Sequence, residues 1–226
     1  MLALQSIVAA YGGRAVLRSV SFAASAGQVT GLIGHNGAGK STLLRVIAGV
    51  LPCESGRVEL DAKEITKTAL GERLEMGIAY VPQGNRVFSK LTVRENLIVG
   101  VGRSGGPKGA AAAEKFPALT SLMEKPAGLL SGGEKQMLVM AMALSRRPRV
   151  LLLDEPSLGL SSVAATKTME LVEQTKRDGM TVVIAEQNVG LLLGIADRIC
   201  ALRSGTVVFD GTATELDEPE MRRIFL

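Results

Sequence analysis

A chain of 226 residues with 46% hydrophobic content is long enough to bury a full core and suits one domain with internal subdivisions. Its longest apolar runs fall far short of the ~20 residues that span a bilayer, and the opening Met1-Leu2-Ala3-Leu4-Gln5-Ser6 has no basic segment ahead of an apolar one, so a soluble, cytoplasmic protein is expected. Cys53 and Cys200 lie too far apart to form a disulfide framework or a metal spacing, and a net charge of +4 interspersed with acids permits contact with an anionic membrane face without marking a nucleic-acid groove.

Residues 4–11 and 16–22 alternate apolar with small or polar side chains around Gly12-Gly13, which predicts paired strands. A short apolar strand follows at 28–33, then a helix over 41–48, a break at 52–56 and another strand at 57–60. Residues 72–76 read as helix, 78–81 as strand and Pro82-Gln83-Gly84-Asn85 as loop. At Thr92 the character turns helical, with Thr92-Val93-Arg94-Glu95 forming a capping box ahead of Asn96, Leu97 and Ile98. Residues 102–109 read as a flexible connection leading through the alanines at 110–113 into a short helix; their glycines have no phosphate role, because no strand precedes them. A long helix is predicted over 134–145, with Met137, Met140 and Met142 as core filler. Beyond it come a buried-type strand at 150–153, an amphipathic helix at 164–176, a strand at 181–185 and a helix at 189–196. Residues 199–202 and 207–209 form a terminal strand pair around Ser204-Gly205. Alternating strand and helix imply a parallel sheet covered on both faces.

Three stretches carry chemistry. Between the strand at 28–33 and the helix at 41–48 runs Gly34-His35-Asn36-Gly37-Ala38-Gly39-Lys40-Ser41-Thr42, which contains G-x-x-x-x-G-K-[ST]. In that pattern glycines let backbone N–H groups converge on phosphate oxygens, lysine brings charge to the β/γ-phosphates and the hydroxyl holds Mg²⁺, while the helix adds its positive end. Average residue frequencies would produce it by accident in roughly one chain of this length in a hundred, so a nucleoside triphosphate site is the working reading. His35 is expected to face the loop exterior without a catalytic role, since the motif leaves its position free.

The second stretch is Val150-Leu151-Leu152-Leu153 ending in Asp154-Glu155. A carboxylate at the carboxyl end of a buried strand can hold Mg²⁺ through water opposite the phosphate loop, which assigns Asp154 to the metal side. Glu155 is placed to accept a proton from the water attacking the γ-phosphate. An isolated acid there would read as a strand cap. The third stretch, Leu130-Ser131-Gly132-Gly133-Glu134, opens the long helix with free N–H donors, a hydroxyl and a positive dipole end, and serves either as an anion site or as a plain N-cap.

Taken together, the loop at 34–41, the Leu130 to Glu134 stretch, the run at 150–154 with Glu155, and Gln83 after a strand resemble an ATP-binding-cassette (ABC) ATPase over essentially the whole chain. The Ser-Gly-Gly signature separates that family from other P-loop proteins. The resemblance implies an α/β fold with a mostly parallel P-loop core sheet, an N-terminal antiparallel β-subdomain and an inserted helical subdomain. The chain would be a single domain over 1–226, divided as 1–85, 86–145 and 146–226. ATP and Mg²⁺ are the implied cofactors. Gly34, His35, Asn36, Gly37, Ala38, Gly39, Lys40, Ser41 and Thr42 would form the cradle, Tyr11 would stack on adenine, and Ser41, Gln83 and Asp154 would surround the metal. Glu155, Gln83 and Gln187 would serve hydrolysis.

Family cassettes face each other head to tail, so Ser131, Gly132 and Gly133 of one would complete the nucleotide site of a second, identical or related, ATPase subunit. Gln83 would relay nucleotide state to integral membrane permease subunits. The stretches at 82–88, 154–160 and 186–188 resemble the cassettes of branched-chain amino acid importers, and related amide or urea importers share much of the pattern. An importer implies peripheral placement at the cytoplasmic face of the membrane and an extracytoplasmic solute-binding protein, with no nucleic-acid partner. Gln187 stands where the family commonly has histidine and Ser161 where it commonly has aspartate, departures that also resemble the importer subgroup. The helical region at 100–129 looks short and alanine-rich. A soluble ABC ATPase of assembly or DNA maintenance would carry a coiled-coil insertion or a second cassette, and a small-molecule kinase would leave Ser131-Gly132-Gly133 unexplained.

Overall fold

The computed structural model describes residues 1–101 and 116–225; the connection expected at 102–109, with the alanines that follow it, lies outside the described residues. Strands β1 (Leu2–Tyr11) and β2 (Arg14–Ala24) pair antiparallel, and with β4 (Ser55–Leu60) and β5 (Lys63–Glu64) they make a sheet of order β2-β1-β4-β5. The second sheet collects β3 (Val29–Ile33), β6 (Ile78–Val81), β7 (Val150–Asp154), β8 (Thr181–Ala185), β9 (Arg198–Arg203) and β10 (Thr206–Thr212) in the order β10-β9-β3-β8-β7-β6. Every pairing in it is parallel except the β9/β10 hairpin, which makes the fold α/β with a mostly parallel core sheet.

The strand sequences explain why this sheet lies inside. All five residues of β3, of β7 and of β8 are buried, the continuous apolar reading of strands covered on both faces. Alternate side chains leave in opposite directions, so Leu151, Leu153, Val182 and Ile184 enter one apolar cluster while Val150, Leu152, Val183 and Ala185 enter another. The first cluster holds α3 (Val93–Val101), α4 (Pro117–Thr120), α5 (Gly132–Leu144) and α6 (Ser162–Arg177), through Leu97, Leu119, Leu138, Met140 and Val172 among others. The second holds α1 (Lys40–Ala48) together with the antiparallel sheet, through Leu43, Leu44, Ile47, Leu4, Ile7 and Leu17. Met140 is fully buried, and Met137 and Met142 pack against the first cluster as the core-filler reading expects.

The predicted capping box is formed, Thr92 and Glu95 exchanging backbone bonds at 3.2 and 2.7 Å, and the structure adds a second at the start of α5, where Ser131 and Glu134 do so at 3.3 and 2.7 Å. The helix expected over 189–196 is shorter, α7 (Val189–Leu193), because the N–H groups of Gly194, Ile195 and Ala196 all turn onto the Leu192 carbonyl and close the chain into a tight turn. Strand β5 and a C-terminal helix α8 (Glu218–Phe225) have no counterpart among the predicted elements, whereas the short helix expected after the alanines has α4 as its counterpart among the described residues.

One buried charged side chain lies away from the carboxyl edge of the core sheet. Arg73, on α2 (Leu70–Glu75), is only 2% exposed and donates to the carbonyls of Val46, Ile47, Ile65, Thr66 and Thr68 at 2.7 to 2.9 Å. Two of those acceptors are terminal carbonyls of α1, which have no partner within their own helix. Burial lowers the guanidinium below its ordinary pKa. Of the two cysteines, Cys200 is buried in β9, where burial raises its thiol far above the usual range, and Cys53 is half-buried in the bend after α1.

Candidate functional site

Four neighbouring parallel strands end at one edge, and each hands over a piece of the site: the phosphate loop follows β3, Gln83 follows β6, Asp154 and Glu155 close β7, and Gln187 follows β8. This is the carboxyl edge, where open α/β sheets bind ligands. The pieces surround a cleft of about 290 Å³ lined by Asn36 through Thr42, Gln83, Glu155, Gln187 and Val16.

The loop itself is shaped by close approach. Gly34 holds φ 138°, and a Cβ there would sit 2.1 Å from the Leu202 carbonyl oxygen, so only glycine lets the loop leave β3 against β9. Helix α1 begins at Lys40, whose buried ammonium donates to the carbonyls of Gly34 at 2.7 Å and His35 at 3.2 Å. Burial lowers the Lys40 pKa, an effect opposed by the nearby carboxylates of Glu155, Asp154 and Glu186. The Lys40 cation at the start of α1, beside the main chain of a glycine-rich loop, suits a polyanion. His35 is exposed as expected, yet it meets a neighbour: its Nε2 pairs with the Phe225 carbonyl at 2.9 Å and its ring packs edge-on to Phe225 at 5.5 Å.

Ser41 and Asp154 meet directly, the hydroxyl donating to Oδ1 at 2.7 Å. Tyr80, which the sequence reading passed over as a strand residue, donates its hydroxyl to Asp154 Oδ2 at 3.1 Å. Burial first, and then Asp154, push the Tyr80 phenol up to about 12. Among the described residues no cluster of three or more His, Cys, Asp or Glu could hold a metal ion. A hydroxyl and one carboxylate oxygen are nevertheless a hard-donor pair, the kind that fits Mg²⁺, which takes most of its ligands from phosphates and water.

Glu155 is 7% exposed and sits in the left-handed region at φ 49°. Both of its oxygens are engaged: Gln83 Nε2 donates to Oε2 and Gln187 Nε2 donates to Oε1, each at 2.9 Å. Gln187 Nε2 also reaches Asn36 Oδ1 at 3.0 Å, which ties the residue after β8 to the phosphate loop. The structure thus brings Gln83, Glu155, Gln187 and residues 36–42 to one cleft, with Asp154 bonded to Ser41 in its lining.

Other expected site residues stand apart from it. Tyr11, 42% exposed at the end of β1, accepts a hydrogen bond from Arg45 Nη1 at 3.1 Å. Ser131, Gly132 and Gly133 are not among the residues lining the cleft. Ser131 spends its hydroxyl capping α5, and Gly133 allows close packing, since a Cβ on it would come within 3.1 Å of the Ala164 Cβ. Ser161 likewise caps α6, accepting from the Ala164 N–H at 3.4 Å.

Comparison with known proteins gives the same reading. Residues 17–158 match the family described as ABC transporter. The chain is 39% identical to the high-affinity branched-chain amino acid transport ATP-binding protein BraG of Pseudomonas aeruginosa, over 100% of this chain and 99% of that protein. It is 40% identical to the probable branched-chain amino acid transport ATP-binding protein LivF of Archaeoglobus fulgidus, over 97% and 95% respectively. The lipopolysaccharide export system ATP-binding protein LptB of Escherichia coli is 30% identical over 100% of this chain and 96% of its own. Among solved structures, the ATP-binding cassette MJ1267 of an ABC transporter superposes with a TM-score of 0.90 at 28% identity, covering 100% of this chain and 98% of that one. With the family matched over residues 17–158, relatives similar over their full length and the same fold among solved structures, the chain belongs to the ABC transporter family as one of its ATP-hydrolysing cassettes.

Proposed function

We propose that this cassette hydrolyses ATP in the cleft at the end of β3, with Glu155 as the general base for the attacking water. The observation that carries the reading is the arrangement of Glu155, a buried carboxylate whose two oxygens are held by Gln83 and Gln187 at the mouth of the phosphate loop. The loop amides and Lys40 would bind the β- and γ-phosphates, and Tyr11 would stack on the adenine. Ser41 and Asp154 would hold Mg²⁺, with Gln83 beside it; the ion, when bound, neutralises charge building on the phosphoryl oxygens. Gln187 replaces a titratable switch residue with a neutral donor, so it holds Glu155 and the loop without gaining charge near neutral pH.

Ser131, Gly132 and Gly133 lie outside the cleft of their own chain, which supports a site completed by a facing cassette. A division into residues 1–85, 86–145 and 146–226 accords with the helices α3, α4 and α5 falling in the middle segment. Among the described residues no helix is long and apolar enough to cross a membrane, so work across a bilayer needs integral permease subunits on which the cassette sits peripherally. Similarity to BraG and LivF at about 40% identity supports a branched-chain amino acid importer with an external solute-binding protein. The match to LptB makes the cargo a question for uptake assays, and loss of leucine uptake on deleting the chain would support the importer.

The test of the catalytic reading is Glu155→Gln. The variant should bind ATP as the parent does and hydrolyse it at least ~100-fold more slowly, the range expected for loss of a general base. Wild-type turnover in the purified variant would refute the assignment.

A further inference from the structure

Glu186 is buried, 3% exposed, and no step described above uses it. It lies between β8 and Gln187, and its carboxylate collects four donors. Oε2 accepts from the Ser157 hydroxyl at 2.7 Å and the Ser157 N–H at 3.3 Å, while Oε1 accepts from the N–H groups of Gln187 at 2.8 Å and Asn188 at 3.2 Å. Among the described residues no cation forms a salt bridge with it. Its direct hydrogen bonds come from a ring of main-chain amides and one hydroxyl, a nest built around an internal anion, with the Lys40 ammonium near enough to feel its charge.

The donors come from the two turns that matter to the site. Ser157 lies two residues beyond Glu155, and Gln187 is the residue whose amide holds Glu155 Oε1 at 2.9 Å. These turns follow different strands, and the contact between Glu155 and Gln187 bridges 32 positions of sequence. Glu155 also stands at φ 49°, a backbone conformation that a non-glycine residue keeps only when its surroundings hold it there. Its own N–H bonds the Ala185 carbonyl at 2.8 Å, and the Glu186 N–H bonds the Leu32 carbonyl at 3.3 Å, so the peptide preceding Glu186 is anchored to β3 and β7 at once.

We propose that Glu186 is a positioning residue for hydrolysis: by gripping the Ser157 turn with one oxygen and the Gln187 backbone with the other, it fixes the distance between the Gln187 amide and the Glu155 carboxylate. It touches neither nucleotide nor attacking water and acts only through that pair. A carboxylate suits the task because it offers acceptors on both oxygens, whereas an amide in its place turns one donor-bearing side toward N–H groups it cannot accept. The inference rests on the reading of Glu155 as the base, and its failure is separable from failure of that reading.

The experiment is a kinetic cycle on the full chain with Glu186→Gln, Gln187→Ala and the double variant, measuring MgATP turnover and, by calorimetry, ATP affinity. Glu186→Gln should lower kcat by about 10- to 100-fold, the scale of a misplacement near 1 Å, with ATP affinity within about threefold of the parent. Because Glu186 acts through Gln187, adding Glu186→Gln to Gln187→Ala should lower kcat by no more than about twofold further, whereas separate structural damage would multiply the two losses. Turnover within twofold of the parent in Glu186→Gln, multiplying losses, or unchanged turnover in Gln187→Ala would each overturn the proposal. If Glu186→Gln does not fold, Ser157→Ala serves instead, with the same loss in kcat, the same retained affinity and the same dependence on Gln187 expected. Unchanged turnover in Glu155→Gln would instead remove the reading on which the proposal stands.

Discussion

Replacing Arg73 by methionine tests how much of the fold hangs on one buried cation. Methionine fills much of the aliphatic volume and donates nothing, so five carbonyl acceptors each lose the guanidinium as a donor. Those of Thr66 and Thr68 are only partly buried and can recover water, whereas those of Val46, Ile47 and Ile65 are enclosed. Val46 still accepts from the Gly49 N–H at 3.1 Å and Ile65 from the Thr68 N–H at 2.9 Å, so Ile47 alone is left unpaired, at about 1–3 kcal/mol, while the other two each lose one of two bonds, at about 0.5–1.5 kcal/mol, for a loss of about 2–6 kcal/mol. Relief of the guanidinium's own desolvation offsets part of this, which leaves a net destabilisation of about 2–4 kcal/mol. With a urea slope of about 2–3 kcal/mol/M, the midpoint should fall by about 1–2 M at an unchanged slope. Arg73→Lys should fall between, since an ammonium carries three donors on a point charge rather than five in a planar fork. A methionine variant whose midpoint stays within about 0.3 M of the parent would refute this account of the core.

Lys40→Ala should weaken ATP binding by about 30- to 1,000-fold in calorimetry, the loss expected when one partner of a desolvated charge pair is truncated. Absorbance titration should reveal the Tyr80 environment directly, since the chain has two tyrosines and no tryptophan: one phenolate step near 12 should vanish in Tyr80→Phe. The folded state keeps the Tyr80 proton that the unfolded chain loses near the ordinary phenol value of about 10, so stability drawn from Tyr80 should decline as pH rises from that value toward 12. Ser131→Ala removes the cap of α5 and should cost about 1 kcal/mol in urea unfolding. A fall in turnover larger than the unfolded fraction explains would mark a second use of Ser131 at a facing nucleotide.

Much of the central sheet was legible because its strands carry the plainest signal available, continuous apolar runs broken by glycine or carboxylate, as at Val150 to Leu153 before Asp154. The phosphate loop and the Thr92–Glu95 capping box rest on local rules of spacing, and spacing survives in sequence. What escaped depends on where chain segments meet. Arg73 reads as a surface charge on a short polar helix, and only the convergence of α1 and the loop at 65–68 encloses it. Tyr80 alternates like a core residue, and the neighbouring β7 gives it Asp154 as a partner. Glu186 reads as the polar end of a strand until the Ser157 turn is laid beside it. Helix α8 did leave a mark that went unused: Asp217 bonds the Glu220 N–H at 2.9 Å, with Pro219 in the first turn and Arg222 and Arg223 in the last.

The burial of Cys200 has a practical side. A thiol enclosed in β9 and held protonated does not react with alkylating reagents, and the sequence contains one other, Cys53. Within these 226 residues Cys53 is therefore the thiol left for a single label. A maleimide dye will attach at Cys53, close to Arg73 and beyond the far end of the phosphate-loop helix, without mutagenesis and without touching the cleft. Donor and acceptor dyes on two copies would then turn the approach of facing cassettes into a change in energy transfer that can be followed in real time.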